Sequence, residues 1–260
     1  MKLFSDYHNH PLGHDPNRRY DEATLKEWLT NALERGLSDI AFTDHDRYHA
    51  GVDFESFRRF QEGLPDGTIF RLGIELDNDP ETSLEGHRWT EKNYDRLDFV
   101  LGSVHFIGDW PFDHPSHKEE FSRRDINKLY EEYFKEIQRT ARSDLVDGLA
   151  HLDLIKIFGD RPTVDLTWLY EETLQVIKES GKTLEISTAG WRKPVNELYP
   201  QESLLPLIKE LAIPITVASD AHAPTHLASD YGRLAIILQN HGFTEVTVFD
   251  KHKQIKQSLN

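Results

Sequence analysis

The sequence predicts an α/β fold built on a parallel sheet, either closed as a barrel or open and doubly wound. Two observations carry that prediction. Short apolar runs alternate with amphipathic helical patterns along the chain, and metal-type side chains fall where the runs end. No repeat, low-complexity tract or Pro/Gly/Ser-rich linker divides the 260 residues, so a single domain over 1–260 is expected.

The first strand lies directly before "DYHNHPLGHD" at 6–15. Leu25, Trp28, Leu29, Ala32 and Leu33 then recur at helical spacing with Gly36 as the C-cap, giving a helix over 22–35. "SDIAFTDHD" follows as a buried strand. Further strand-like runs stand at 69–75, 97–105, 147–151, 183–187, 214–220 and 245–249. Among the helices between them, 125–142 repeats Ile126, Leu129, Tyr130, Tyr133, Phe134 and Ile137 on one face, and 166–180 is closed by Gly181. The polar stretches 77–94 and 106–124 read as long loops, which in compact folds usually carry function.

Composition removes several classes. With no cysteine, a tightly held metal must sit on His, Asp and Glu, a set that suits zinc, manganese or iron. The formal charge of -15 argues against nucleic acid and anionic membranes, which need a basic face. No apolar run reaches a membrane span and no lipidation motif appears, so a cytoplasmic protein acting on a small molecule is expected, its oligomeric state open. The glycine-rich dinucleotide and P-loop fingerprints are both missing.

The positions of the metal-type residues say more. His8 and His10 end the first strand, His45 the second, Glu75 the third, His105 the fourth, His151 the fifth, and Asp220 with His222 the seventh. Parallel α/β folds gather their chemistry at the carboxyl ends of strands, so residues two hundred positions apart would meet there. Any one of these histidines alone is more often a surface or hydrogen-bonded residue; the pattern of strand ends is what points to a metal. Glu75, the acid at a central strand end, is the natural bridge between two cations. Asp44, Asp46, Asp77, Asp79 and Asp153 read as partners of ligating histidines, caps or solvated acids, with Asp44 and Asp153 favoured as partners. The sixth strand end, "EISTAGWR", offers no evident ligand and delivers Arg192. His49, His87, His114, His117, His226, His241 and His252 read as solvated or locally bonded, with His114, His117 and His226 placed to border the site.

From "DYHNH" at 6 to "SDAH" at 219 the chain resembles the polymerase and histidinol phosphatase (PHP) superfamily. Within it, "LGSVHFIGDWPFDHP", "GLAHLDLIKIFGDRP", "LEISTAGWRKPVNELYP" and "IPITVASDAHAP" are similar to histidinol-phosphate phosphatases of histidine biosynthesis. The resemblance implies a distorted TIM-like (β/α)7 barrel with three divalent metal ions. It implies a first metal on His8, His10, Glu75 and Asp220, a second on Glu75, His105 and His151, and a third on His14, His45 and His222, with Asp15 the alternative to His14. Arginines on the loops after the fifth and sixth strands grip phosphate in similar phosphatases, and Arg161 and Arg192 match them; Lys193 and Arg233 are weaker matches.

The implied reaction is hydrolysis of L-histidinol phosphate by in-line attack of a hydroxide bridging the first two metals. Asp220, Asp153 and His226 are the candidates for protonating the leaving alkoxide. Trp110, Phe112, Glu119 and Glu120, on the long loop, either recognise imidazole and amine or form a structural lid. The alternative in the same superfamily is a phosphodiesterase or exonuclease acting on nucleotides.

Overall fold

The computed structural model describes residues 2–259. In chain order the regular elements begin with β1 (Ser5–Asp6), α1 (Glu22–Arg35), β2 (Asp39–Phe42), α2 (Phe54–Glu62), β3 (Ile69–Leu76) and α3 (Ser83–Asn93). Next come β4 (Phe99–Gly102), β5 (Phe106–Ile107), β6 (Trp110–Pro111), α4 (Ile126–Ala141), β7 (Gly148–Leu149) and α5 (Thr167–Glu179). The last are β8 (Thr183–Ser187), α6 (Leu205–Glu210), β9 (Ile215–Ala218), α7 (Tyr231–Asn240), β10 (Glu245–Asp250) and β11 (Lys253–Ser258).

Seven strands pair in parallel in the order β1-β2-β3-β4-β7-β8-β9. The ends of that row then meet. Tyr7 N–H donates to Val217 O at 3.1 Å, Ala221 N–H to His8 O at 3.2 Å and His10 N–H to Ala221 O at 2.8 Å. The sheet therefore closes into a distorted (β/α)7 barrel, and the open, doubly wound alternative falls away. β2, β4, β8 and β9 are buried at every residue, as strands covered on both faces must be.

The predicted helices form within a residue or so of their expected bounds. α1 starts where the Asp21 carboxylate accepts Thr24 N–H, stops at Gly36 with φ 69°, and buries Leu25, Trp28 and Ala32. α4 buries Leu129, Tyr130, Tyr133, Phe134 and Ile137 as its period requires.

Three expectations change. The stretch 77–94 is no plain loop, because α3 occupies Ser83–Asn93; its buried residues are Gly86, Thr90 and Asn93, so no apolar stripe announced it. Its Gly86 lies so close to Asp46 that an added Cβ would run into the Asp46 carboxylate. The stretch 106–124 holds the small β5–β6 ladder and a 3-10 helix over Pro115–Arg123. The run at 245–249 enters β10, which pairs antiparallel with β11 outside the barrel sheet.

That hairpin plugs the end of the barrel where strands begin. Phe249 stacks on Phe99 at 4.3 Å, and Phe249 N–H donates to Tyr7 Oη at 2.9 Å. The opposite end, where strands finish, is left to the polar residues. No helix among the described residues is long and apolar enough to cross a membrane.

Candidate metal centre

Glu75, fully buried near the end of β3, sits among imidazoles brought by four other strand ends. Its Oε2 lies 2.7 Å from His45 Nδ1, 3.4 Å from His8 Nε2 and 3.6 Å from His10 Nε2. Its Oε1 lies 3.3 Å from His151 Nε2 and 3.7 Å from His105 Nε2. The loop after β9 adds Asp220, whose Oδ1 is 3.2 Å from His10 Nε2 and 3.3 Å from His222 Nδ1. Asp220 holds φ at 50°, a conformation a non-glycine residue seldom takes.

Four sets of three side chains bring ligand atoms within 4.8 Å of one another: His8, His10 and Asp220; His8, Glu75 and His151; His45, Glu75 and His105; His10, His45 and His222. They contain eight of the nine ligands expected from the sequence, but the sets are divided differently. His10 stands with His45 and His222 where His14 was expected, His8 joins Glu75 and His151, and His45 joins Glu75 and His105, because one central carboxylate is in reach of all five imidazoles. The His14 ring lies 4.6 Å from that of His222 and 5.6 Å from that of His45, on the wall of the same cavity. Asp15, its alternative, is exposed and accepts Asn17 N–H at 2.9 Å.

The donor set fits divalent metal. His8 Nε2, His10 Nε2, His45 Nδ1, His222 Nε2 and Glu75 Oε2 are all buried without a hydrogen-bond partner of acceptable geometry, although such atoms are costly to leave unpaired. Imidazole nitrogen and carboxylate oxygen together suit zinc, manganese or iron. Burial pushes Glu75 upward, but His45, His8 and His105 outweigh it and hold the carboxyl well below its usual range. Burial, helped by His45 and His14, draws His222 down to about 3, a neutral imidazole ready to donate a lone pair.

Two carboxylates orient rings of the cluster. Glu185, in the middle of β8, accepts from His8 Nδ1 at 2.7 Å and from His151 N–H at 3.1 Å. Asp77 Oδ2 lies 2.9 Å from His105 Nδ1, and despite the burial that opposes it this carboxylate lifts His105 to about 10. Asn78 Oδ1 accepts His105 N–H at 2.9 Å. The expected partners do other work. Asp44 accepts from Tyr20 Oη at 2.7 Å and Leu12 N–H at 2.8 Å, bracing the first loop, while Asp153 is paired with Lys156 Nζ at 2.7 Å.

The sequence does not single out Glu185, although "EISTAGWR" begins with it. The signal lay within the strand: polar Thr183, Glu185 and Ser187 alternate with Leu184 and Ile186, placing the acid on the same face as two hydroxyls.

A cavity of about 800 Å³ opens over the cluster. Asp220 and Lys193 are on its wall, as expected; Asp153, His226, Arg161 and Arg192 are not. His226 is exposed, Arg161 donates to Glu197 at 2.6 Å, and Arg192 donates to the Ser219 carbonyl. Of the long loop, Phe106, Pro111, Asp113, His114 and His117 face the cavity. The four residues expected there take other places. Trp110 is buried with its ring 4.8 Å from Phe121, Phe112 is buried 5.4 Å from Tyr133, Glu119 is exposed, and Glu120 accepts from Arg124 at 2.8 Å. Trp110 and Phe112 thus pack the long loop onto Phe121 and Tyr133. Arg47, which the sequence did not single out, also lines the cavity.

The chain is similar to known proteins over most of its length. The PHP domain family model matches residues 19–189. A probable histidinol-phosphatase of Deinococcus radiodurans is 36% identical over 227 residues, covering 81% of this chain and 85% of that protein. A histidinol-phosphatase of Lactococcus lactis is 25% identical, covering 90% of this chain and 93% of that protein. The crystal structure of histidinol phosphate phosphatase from Lactococcus lactis, complexed with zinc, L-histidinol and phosphate, has a TM-score of 0.77 at 23% identity and covers 98% of this chain and all of that one, so the two share a fold. With Glu75 and its histidines at the strand ends of such a barrel, and a family model matching across most of it, the chain belongs to the PHP domain family.

Proposed function

We propose that this chain is a metal-dependent phosphomonoesterase that hydrolyses L-histidinol phosphate to L-histidinol and phosphate. The observation that carries the reading is Glu75, one buried carboxylate within 3.7 Å of nitrogens from five histidines. The 36% identity to a probable histidinol-phosphatase gives the substrate.

His8, His10, His45, Glu75, His105, His151, Asp220 and His222 hold the ions, three in number on this reading, with His14 at the rim of the third. Divalent metal held there supplies Lewis acidity toward a phosphoryl oxygen and brings the pKa of water down toward about 7. Glu185 and Asp77 fix the rings of His8 and His105 through Nδ1, so that each presents Nε2 inward. Asp220 is on the cavity wall, and the neighbouring His8 overcomes burial to keep it ionised, as a ligand must be. Lys193 adds positive charge at the wall toward a phosphate dianion. Asp113, on the cavity side of the lid, offers a carboxylate to the substrate amine.

The test is turnover of L-histidinol phosphate, other phosphate monoesters and a short oligonucleotide by purified protein loaded with zinc, manganese or iron. Fastest release of phosphate from L-histidinol phosphate is expected, with up to three metal ions per chain by elemental analysis. Preference for the oligonucleotide, or no turnover of any monoester, overturns the reading.

A further inference from the structure

Four cationic side chains match the phosphate role in the sequence, and the geometry points to a fifth. Arg161 is engaged by Glu197 and Arg192 by the Ser219 carbonyl, and neither faces the cavity. Arg47 does face it, two residues past His45 and beside Tyr48. Its side chain is only 25% exposed, yet its bonding is unfinished. Nε is buried without a hydrogen-bond partner. Nη1 stands 3.5 Å from Asp77 Oδ2 and 3.6 Å from Asp79 Oδ2, at or past the limit of a hydrogen bond.

A guanidinium carries five N–H donors in a fixed fork, and burying them without acceptors is costly. An arginine that merely clipped Asp77 to Asp79 would close on one of them in a bidentate pair, as that geometry strongly favours. Here the two carboxylates hold the charge in position without using its donors. The same wall carries Lys193 and His14, and both cations are near enough to His14 to add to the burial that lowers its pKa. Positive charge is therefore concentrated at the edge of the cluster where His14, His45 and His222 meet.

We propose that Arg47 takes two phosphoryl oxygens of the substrate in its guanidinium fork, with Asp77 and Asp79 holding it in place. The proposal rests on the phosphomonoesterase reading. It also gives Asp77 two tasks: one carboxylate orients the His105 ring and steadies the phosphate-binding arginine, so that phosphate and metal are placed by a common support.

The experiment uses zinc-loaded protein and its Arg47→Gln and Arg47→Lys variants, with inorganic phosphate as the probe. Calorimetric titration of phosphate gives a readout independent of turnover, and KM for L-histidinol phosphate and zinc per chain are measured alongside. Arg47→Gln is expected to weaken phosphate binding and raise KM by about 10- to 100-fold, the effect of losing a charge-assisted bidentate contact, with zinc per chain unchanged. Arg47→Lys, which keeps the charge but loses the fork, recovers only part of the binding. Unchanged phosphate binding in Arg47→Gln overturns the proposal, and so does a loss that is matched by loss of zinc, since Arg47 would then act only through Asp77. If wild-type protein hydrolyses no monoester, the phosphomonoesterase reading itself fails; normal wild-type turnover with unchanged Arg47→Gln binding removes this inference alone.

Discussion

Glu185 shows how much a single buried acid can decide. Its carboxylate fixes the ring of His8 and the backbone of His151, two groups from different strand ends, while itself remaining outside every candidate ligand set. Replacing it with glutamine keeps the volume but removes the charge that draws the Nδ1 proton, so Glu185→Gln is expected to weaken metal binding about 10- to 100-fold. Competition with a coloured chelator measures that directly, and unchanged affinity would show His8 to be held by packing alone. The histidines gathered around Glu75 were legible because a parallel fold has only one place to gather such residues. Their supporting acids were not, because a sequence gives an acid's position along the chain and not its partner. Asp44 and Asp153 looked equally suitable, yet Tyr20 and Lys156 claim them.

Elements were legible in proportion to their apolar periodicity. α1 and α4 carry an apolar stripe that marks their ends as well as their span; α3 packs through Gly86, Thr90 and Asn93 and carries none. The β10–β11 hairpin was half visible, as one strand whose partner is exposed and polar. Its turn is fastened by His252, stacked on Tyr94 at 3.7 Å, with Nδ1 2.8 Å from Asp147 Oδ2 and Nε2 2.9 Å from the Tyr94 carbonyl. Burial draws His252 down, but the Asp147 carboxylate and that carbonyl outweigh it and raise the ring above its usual value. A histidine raised on folding stabilises fully below the unfolded value of about 6.5, and that part is lost as pH rises through the folded value. Thermal denaturation across pH 5 to 9 is therefore expected to lose stability on the alkaline side in wild type, with about 1 kcal/mol of it gone in His252→Ala. An identical pH slope in the variant would remove His252 from the account.

At the scale of the molecule, periodicity could not choose between a barrel and an open sheet, because both present buried parallel strands. The choice lies in three backbone hydrogen bonds between the first strand and the last. Five imidazoles around one acid, with unpaired nitrogens aimed inward, also make the strand-end face dependent on what it binds. Metal that binds only the folded state at about a thousand times its Kd adds about 4 kcal/mol of stability. Exhaustive chelation is expected to lower Tm by about 10 °C, and restoring zinc to recover it. Equal melting of stripped and loaded protein would show that the cluster carries no bound metal.

Asp6 accepts from Ser219 Oγ at 2.5 Å, from Ser219 N–H at 3.0 Å and from Ala228 N–H at 2.9 Å, clasping the first motif to the last. The clasp imposes an order on biosynthesis. A nascent chain that has left the ribosome only as far as β8 has made His8, His10, His45, Glu75, His105 and His151, yet lacks both Asp220 and the strand that fixes the first loop. Its histidines are then chelators without a frame. Asp220, His222 and the strand that fixes the first loop all lie in the final quarter of the chain, so the cluster is complete only once that quarter has been made.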